Sequence, residues 1–188
     1  MVRLQRMNDI FKERTVSALL IPDFMFDAFS DVDPDFLKKQ KIAALLCDID
    51  NTLSPYEDAV PSEAVRGWVR KMQAAGISLA LISNNTPKRV DTYNAPLGLV
   101  ACADAKKPSK KCYLDAIERL GVDRKSCAVL GDQLLTDAWS ARRLGISCII
   151  VKPIRDKKTL FFRFKRALEV PFIKAYQRKQ KRSHTHGQ

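Results

Sequence analysis

The sequence contains no apolar run long enough to cross a membrane and no closely paired cysteines. A transmembrane helix needs about 18 consecutive apolar residues, and no stretch of these 188 residues approaches that length. The mostly apolar segment 16–21 is too short for a secretory signal, and Pro22 ends it. The 5 cysteines form no C-x-x-C pair and mostly lie inside apolar runs. These absences predict a cytoplasmic protein whose cysteines are reduced core thiols.

Glycine is also scarce, and neither of the two common glycine-rich phosphate-binding loops is present. The chain has 7 glycines, and none belongs to a G-x-x-x-x-G-K-[ST] or a G-x-G-x-x-G sequence. Nucleotide binding through those backbone cradles is therefore not predicted. With 46% hydrophobic residues the chain can bury one core, but it is too short for two ordinary domains. We expect one globular unit with terminal extensions.

Acidic residues are scarce at the C-terminal end of the sequence. The net charge is +12, and residues 152–188 account for +10 of it. Such a block is typical either of a solvated tail or of a surface that binds anions, such as nucleic acid or acidic lipid. Within the block, one helical face collects the apolar side chains Leu160, Phe161, Phe164 and Leu168. That face predicts either an interfacial helix on an anionic membrane or a helix packed on the protein's own sheet.

From residue 41 onward, short apolar runs alternate with helical patterns, which is typical of a parallel sheet with crossover helices. The predicted strands cover 42–47, 77–83, 98–103, 127–130 and 148–151. The predicted helices lie between Ser62 and Gly76, after Thr86-Pro87, and at about 108–120 and 136–144. The sequence thus predicts an α/β fold.

The pattern divides the chain into three segments. Residues 1–40 are an N-terminal extension that we expect to pack on the core as helices and loops, with Phe24, Phe26 and Phe29 as packing residues. Residues 41–155 form the α/β core, and residues 156–188 form the basic amphipathic C-terminal segment and tail.

Polar side chains follow four of the predicted strands, at the same end of each. They are Asp48, Asp50 and Thr52, then Ser83 and Asn84, then Asp104 and Lys107, and finally Gly131, Asp132 and Asp137. Because ligands of open parallel sheets bind beyond the carboxyl ends of the strands, we expect these side chains to meet in one crevice. Each residue alone could be a helix cap or a turn former. Capping alone would not repeat the pattern after four successive strands.

The four stretches, in this order and at this spacing, resemble the four motifs of the haloacid dehalogenase (HAD) superfamily. They read Asp48-Ile49-Asp50-Asn51-Thr52-Leu53, Ser83-Asn84-Asn85, Lys107-Pro108, and Gly131-Asp132 followed by Asp137. More narrowly, the chain resembles the cap-less YqeG-type subfamily IIIA phosphatases, which are related to phosphatidylglycerophosphate phosphatases. The resemblance implies a three-layer Rossmann-like fold, with crossover helices on both faces of the sheet. It also implies a magnesium-dependent hydrolase of phosphomonoesters.

The resemblance assigns the central chemistry to two carboxylates. Asp48 is the nucleophile that forms an aspartyl phosphate, and Asp50 is the general acid and then the general base. Mg²⁺ is held by the Asp48 side chain, the Asp50 backbone carbonyl and Asp132. Asp137 is either an orienting residue behind the metal or the N-terminal charge of the helix that it opens.

The remaining motif residues surround the phosphoryl group in this interpretation. The predicted phosphate-binding group consists of Thr52, Ser83, Asn84 and Lys107. Lys107 supplies a positive charge, and Thr52 also braces the loop of the first motif. Lys107 is chosen over Lys106 because it directly precedes the proline of the third motif.

The intervals between the motifs are short. Only 34 residues separate Asp48 from Ser83, and 23 separate Ser83 from Lys107, so one helix and one strand fill each interval without a cap domain. By resemblance, an open site of this kind takes large or surface-presented phosphomonoesters, and a lipid phosphate such as phosphatidylglycerophosphate is the leading substrate. Two alternatives use the same scaffold: a nucleic-acid or ribosome-associated binding protein, and a phosphotransferase.

Overall fold

The computed structural model describes residues 20–155 and 170–178, and its centre is a sheet of parallel strands. The strands are β1 (Phe24–Phe26), β2 (Ala44–Cys47), β3 (Ser78–Ile82), β4 (Val100–Cys102), β5 (Cys127–Gly131) and β6 (Ser147–Val151). Their spatial order is β1-β6-β5-β2-β3-β4, and every neighbouring pair runs parallel. The five predicted strands are therefore confirmed, with bounds that shift by at most two residues.

Helices connect the strands. They are α1 (Pro34–Lys39), α2 (Glu63–Ala74), α3 (Pro87–Asn94), α4 (Lys111–Leu120) and α5 (Trp139–Leu144), the last preceded by a π-helical turn at Leu134–Ala138. Helix α2 begins where predicted because the Ser62 hydroxyl accepts a hydrogen bond from the Val65 amide. Helix α4 begins three residues later than predicted, because the Ser109 amide donates to the Lys106 carbonyl and closes a turn first.

The segment before residue 41 contains a strand that the sequence did not predict. Phe24–Phe26 forms β1 at the edge of the sheet and pairs with β6. Asp23 fixes this pairing, since its amide donates to the Cys148 carbonyl at 3.0 Å and its carboxylate accepts from the Cys148 amide at 2.8 Å. A strand of three residues is too short to show a period-2 pattern, which is why the expectation of helices and loops alone was wrong.

The three phenylalanines of this segment pack as predicted. Phe24 and Phe26 each meet the ring of Phe36 edge-on, with centroids 5.0 Å apart. Phe29 meets Trp68 of α2 in the same geometry at 5.4 Å. Such aromatic pairs attach the segment to one face of the sheet.

Apolar side chains fill both faces of the sheet, so the fold has three layers. One face packs against α1, α2 and α3 through Leu37, Val65, Trp68, Met72, Val90 and Tyr93. The other face packs against α4 and α5 through Tyr113, Ala116, Ile117, Ala141 and Leu144. This is the predicted Rossmann-like arrangement. In the continuously described stretch 48–110, one helix lies in each interval between strands and no cap domain is inserted.

The cysteines differ from the prediction at two positions. Cys102 at the end of β4 and Cys112 in the first turn of α4 form a disulfide, with Cα atoms 5.8 Å apart. The expectation of five reduced thiols is wrong for this pair, because the fold places residues ten apart in sequence side by side. The other three, Cys47, Cys127 and Cys148, are buried free thiols as predicted.

The C-terminal basic segment is only partly described. Residues 170–178 are helical, and Phe172 and Ile173 pack against the core on the α4 and α5 side, while Lys174 and Arg178 are exposed. The predicted apolar face of Leu160, Phe161, Phe164 and Leu168 lies outside the described residues. Among the described residues, none belongs to a helix that is both long and apolar enough to span a bilayer.

Candidate active site

The candidate site lies where the strand order of the sheet reverses, at the carboxyl ends of β2 and β5. Strand β2 has β5 on one side and β3 on the other, so the chain leaves neighbouring strands toward the same crevice. The Asp48 amide donates to the Leu130 carbonyl at 2.8 Å, which extends the pairing one residue beyond β2. A cavity of about 290 Å³ opens at this point, and it is lined by Asp48, Asp50, Ser83, Asn84, Lys107 and Gln133, among others.

Residues 48–54 form a tight loop that orients Asp48. The Ile49 carbonyl accepts hydrogen bonds from the amides of the three residues after Asn51, and Asn51 itself has a left-handed backbone with φ 66°. The buried Thr52 hydroxyl donates to Oδ2 of Asp48 at 3.0 Å. Thr52 does not line the cavity, so it acts on the carboxylate of Asp48 and does not face the space where a phosphoryl group would bind.

Lys107 is enclosed between two carboxylates. Its Nζ donates to Oδ1 of Asp48 at 2.6 Å and to Oδ1 of Asp137 at 2.9 Å, and its side chain is 2% exposed. Burial alone would lower the pKa of Lys107, but Asp137 and Asp48 together raise it well above its usual value. Burial raises the pKa of Asp48 to about 6, against the opposing effect of Lys107. The neighbouring Lys106 is exposed, so Lys107 is the lysine that reaches Asp48.

Ser83 and Asn84 follow β3 and hold the loop that bears Lys107. The Asn84 side-chain carbonyl accepts from the Lys107 amide at 2.7 Å, which ties the ends of β3 and β4 together. The Ser83 hydroxyl oxygen accepts from the Asn85 amide at 3.0 Å, and this bond leaves its own hydrogen to donate into the cavity. Among the residues predicted to bind phosphate, Ser83 is buried in the cavity wall and Asn84 is exposed at the cavity edge.

Asp137 contacts both the start of its own helical turn and the lysine of the third motif. Its Oδ2 accepts from the Gln133 amide at 3.2 Å, at the residue that precedes the π-helical turn. Its Oδ1 accepts from Lys107, which places it directly behind Asp48. The position of the Asp137 side chain depends on Gly131, because a Cβ atom at residue 131 would collide with the Asp137 carboxylate.

Three carboxylates converge beside the cavity. Asp48, Asp132 and Asp137 each offer an oxygen, and these atoms lie within 4.8 Å of one another. Two unit charges 4 Å apart repel by about 4 kcal/mol at an effective dielectric constant near 20, and Lys107 balances only one of the three. A hard divalent cation would offset the remaining charge, and the all-oxygen donor set is of the kind that magnesium prefers.

Asp50 has a partner that the sequence did not reveal. Its Oδ1 accepts from the Arg89 guanidinium at 3.2 Å, and its Oδ2 accepts from the Asn85 side chain at 3.3 Å. Arg89 lies on α3, 39 residues further along the chain, within a polar stretch that gives no local signal of this contact. Gln133 and Thr136 also line the cavity without having been predicted as site residues, although both lie inside the fourth motif.

The fold and this arrangement of motifs define a class of protein, and comparison with known proteins identifies the same class. A family model described as haloacid dehalogenase-like hydrolase matches residues 23–145, and the chain belongs to that family. The curated protein named "Probable phosphatase YqeG" from Bacillus subtilis (strain 168) is 30% identical over 159 residues, which cover 85% of this chain and 92% of that protein. The chain is therefore a HAD-type phosphatase, as the sequence predicted.

Solved structures are also similar in fold. The cobalt-bound form of the deoxy-D-mannose-octulosonate 8-phosphate phosphatase YrbI from Haemophilus influenzae has 20% identity and a TM-score of 0.43, over 51% of this chain and 61% of that one. CbbY from Rhodobacter sphaeroides in complex with phosphate has 16% identity and a TM-score of 0.48, over 64% of this chain and 90% of that one.

Proposed function

We propose that this phosphatase hydrolyses phosphomonoesters with magnesium through an aspartyl phosphate on Asp48. The observation that supports the proposal best is the setting of Asp48: its carboxylate lines an open cavity and is held by Lys107 at 2.6 Å and by Thr52 at 3.0 Å. A fixed carboxylate beside a buried cation is suited to attack an anionic phosphorus centre.

The chain's own residues divide the reaction into two displacements. First, a carboxylate oxygen of Asp48 forms a bond to phosphorus while the bond from phosphorus to the leaving oxygen breaks, and the Asp50 carboxyl gives that oxygen its proton. Next, Asp50 removes a proton from water, the water oxygen bonds to phosphorus, and the acyl phosphate bond breaks to restore Asp48. Lys107 and the Ser83 hydroxyl face the charge that develops on the phosphoryl oxygens.

The metal would be held by the side chains of Asp48 and Asp132 and by the backbone carbonyl of Asp50. When bound, magnesium neutralises phosphoryl and carboxylate charge and orients the phosphate for in-line attack. Asp137 contributes a third carboxylate to the cluster, and its bond to Lys107 holds that lysine in place.

Removal of divalent cations should abolish turnover. We expect hydrolysis of an aryl phosphate to fall by about 100-fold or more in EDTA, because the carboxylate cluster then repels the phosphate dianion. Addition of excess magnesium should restore the rate. The measurement is steady-state aryl phosphate hydrolysis after chelation and after titration with magnesium. Unchanged activity after thorough chelation would contradict the metal assignment.

We propose further that the substrate is a lipid phosphate monoester presented at an anionic membrane. Support comes from the cap-less cavity, which is open to a large substrate, and from the resemblance to phosphatases related to those of phosphatidylglycerophosphate. The exposed Lys174 and Arg178 add positive charge on the described part of the C-terminal segment. Each basic residue near an anionic bilayer can contribute about 1 kcal/mol to its binding.

The lipid proposal predicts a preference that a phosphate-release panel measures directly. Phosphatidylglycerophosphate in vesicles should give a higher kcat/KM than glycerol phosphate, sugar phosphates, nucleotides or a phosphoprotein. The protein should also sediment with anionic vesicles and not with zwitterionic ones, and added salt should weaken this association. Preference for a soluble phosphate, or RNA binding without vesicle association, would overturn the lipid proposal in favour of another substrate or of the nucleic-acid alternative.

A further inference from the structure

Arg89 holds the carboxylate of Asp50 in one orientation. The guanidinium contacts one carboxylate oxygen at 3.2 Å, and the Asn85 side chain contacts the other at 3.3 Å, so both oxygens of Asp50 have a fixed donor. The side chains of Arg89 and Asp50 are 15% and 17% exposed, which places this ion pair largely out of solvent. We propose that Arg89 is a positioning residue that sets the geometry of proton transfer by Asp50.

Arg89 is itself fixed by contacts on several sides. Its guanidinium donates to the carbonyl of Ala59 at 3.1 Å and to that of Tyr56 at 3.4 Å. The guanidinium also lies over the ring of Tyr93, 5.3 Å from the ring centroid. The Tyr93 hydroxyl in turn is hydrogen-bonded to the Ser54 hydroxyl at 2.6 Å. A planar, stacked guanidinium can satisfy several acceptors at once, whereas a lysine ammonium has neither the shape nor the reach to do so.

The contacts of Arg89 link Asp50, the proposed acid, to the rim of the cavity. Residues 55–61 follow the first motif, and Tyr56 of this loop lines the cavity while its backbone carbonyl accepts from Arg89. The same guanidinium therefore contacts both Asp50 and the loop at the rim of the cavity. Each carboxylate oxygen of Asp50 accepts one hydrogen bond in this way, and Asp50 also lines the cavity.

The inference rests on the proposed role of Asp50 as acid and then base. When the first displacement breaks the bond from phosphorus to the leaving oxygen, the electron pair goes to that oxygen together with the proton from Asp50. Arg89 exchanges no proton and touches no reacting atom. Its contribution is the distance and angle at which Asp50 meets the leaving oxygen, and a poorly placed acid matters most when the leaving group is a strong base.

Leaving-group dependence tests this inference. Arg89→Lys and Arg89→Gln are compared with wild type, using phosphate esters whose leaving groups range from dinitrophenol to a simple alcohol. We expect kcat/KM to fall about 100-fold for the alkyl ester but about 5-fold or less for the dinitrophenyl ester, which needs little protonation. Lys88→Gln is the matched control, since Lys88 is the preceding, exposed cation of α3 and should show wild-type values across the series.

An equal loss of kcat/KM for all esters, or no loss at all, would overturn the inference. A residue with a purely structural role would affect every ester alike. If Arg89→Gln does not fold, Arg89→Lys decides the question by the same ratio. Failure of the underlying mechanism is distinguishable: wild type would then hydrolyse no ester in a metal-dependent way, whatever residue occupies position 89.

Discussion

Asp48→Asn should lower phosphatase turnover by about 10⁴-fold or more while leaving the fold intact. The amide keeps the shape of the carboxylate but is a far weaker nucleophile, so the covalent step is lost and only substrate binding by the surrounding groups remains. The melting temperature should change little, because the substitution also removes one of three clustered carboxylates and relieves their repulsion. Steady-state hydrolysis and thermal unfolding measure the two quantities on the same sample.

Asp115→Asn is the matched control for this substitution. Asp115 lies exposed on α4 and pairs with Arg119 at 3.6 Å, so the same chemical change there should leave turnover at the wild-type level. Substantial activity in a sequence-verified Asp48→Asn sample would rule out the aspartyl phosphate. Loss of both activity and folding would instead assign Asp48 a structural role.

Lys107→Met should impair both catalysis and stability. Turnover should fall by about 1,000-fold, because the phosphoryl oxygens lose a fixed cation inside a water-poor cavity. The substitution also leaves Asp48 and Asp137 facing each other without the charge between them. Removal of one partner from a buried ion pair typically costs about 3–5 kcal/mol in the free energy of unfolding.

The stability loss of Lys107→Met should grow as pH rises. Burial already raises the pKa of Asp48 from 3.8 to about 6, and Lys107 opposes that rise, so its removal raises the pKa further. A carboxyl whose pKa is higher in the folded state than in the unfolded state destabilises the fold as pH rises between the two values. The deficit relative to wild type should therefore be larger at pH 8 than at pH 5. Urea unfolding in EDTA measures it without a bound cation.

Lys106→Met provides the comparison for both effects. It removes the adjacent, exposed lysine, and it should change neither turnover nor the pH dependence of unfolding by much. A deficit of Lys107→Met that stays constant or shrinks as pH rises would show that the carboxylates do not depend on Lys107 for their charge balance.

The sequence predicts the fold wherever an element is long enough to show its pattern. Helix α2 has an apolar face, a serine cap and a terminal glycine, and it appears within one residue of the expected bounds. Strand β1 has only three residues and pairs with β6, and the preceding residue, Asp23, contacts Cys148, which is 125 residues away. Local periodicity contains no information about a pairing of that kind. The sequence did not predict the disulfide for the same reason, because the approach of Cys102 to Cys112 depends on how β4 and α4 pack together.

For the candidate site, motif residues were predictable and their supporting contacts were not. Each motif lies at the end of a buried strand, so its position follows from the strand that precedes it. Arg89 and Asn85 reach Asp50 from another part of the chain, and the geometry of α3 decides that Arg89, and not Lys88, contacts Asp50. Both interpretations of Asp137 stay predictions, since one carboxylate oxygen contacts the amide at the start of its helical turn while the other binds Lys107.

Gly131 shows how a position can be indispensable without any chemical group to offer. Every other amino acid would place a carbon atom in the space that the Asp137 carboxylate occupies, and would thereby displace the partner of Lys107. In a mutational screen scored by activity alone, substitutions at 131 would be indistinguishable from substitutions of the nucleophile. The number of catalytic residues inferred from such a screen would then be too high by one, because the role of Gly131 is purely steric.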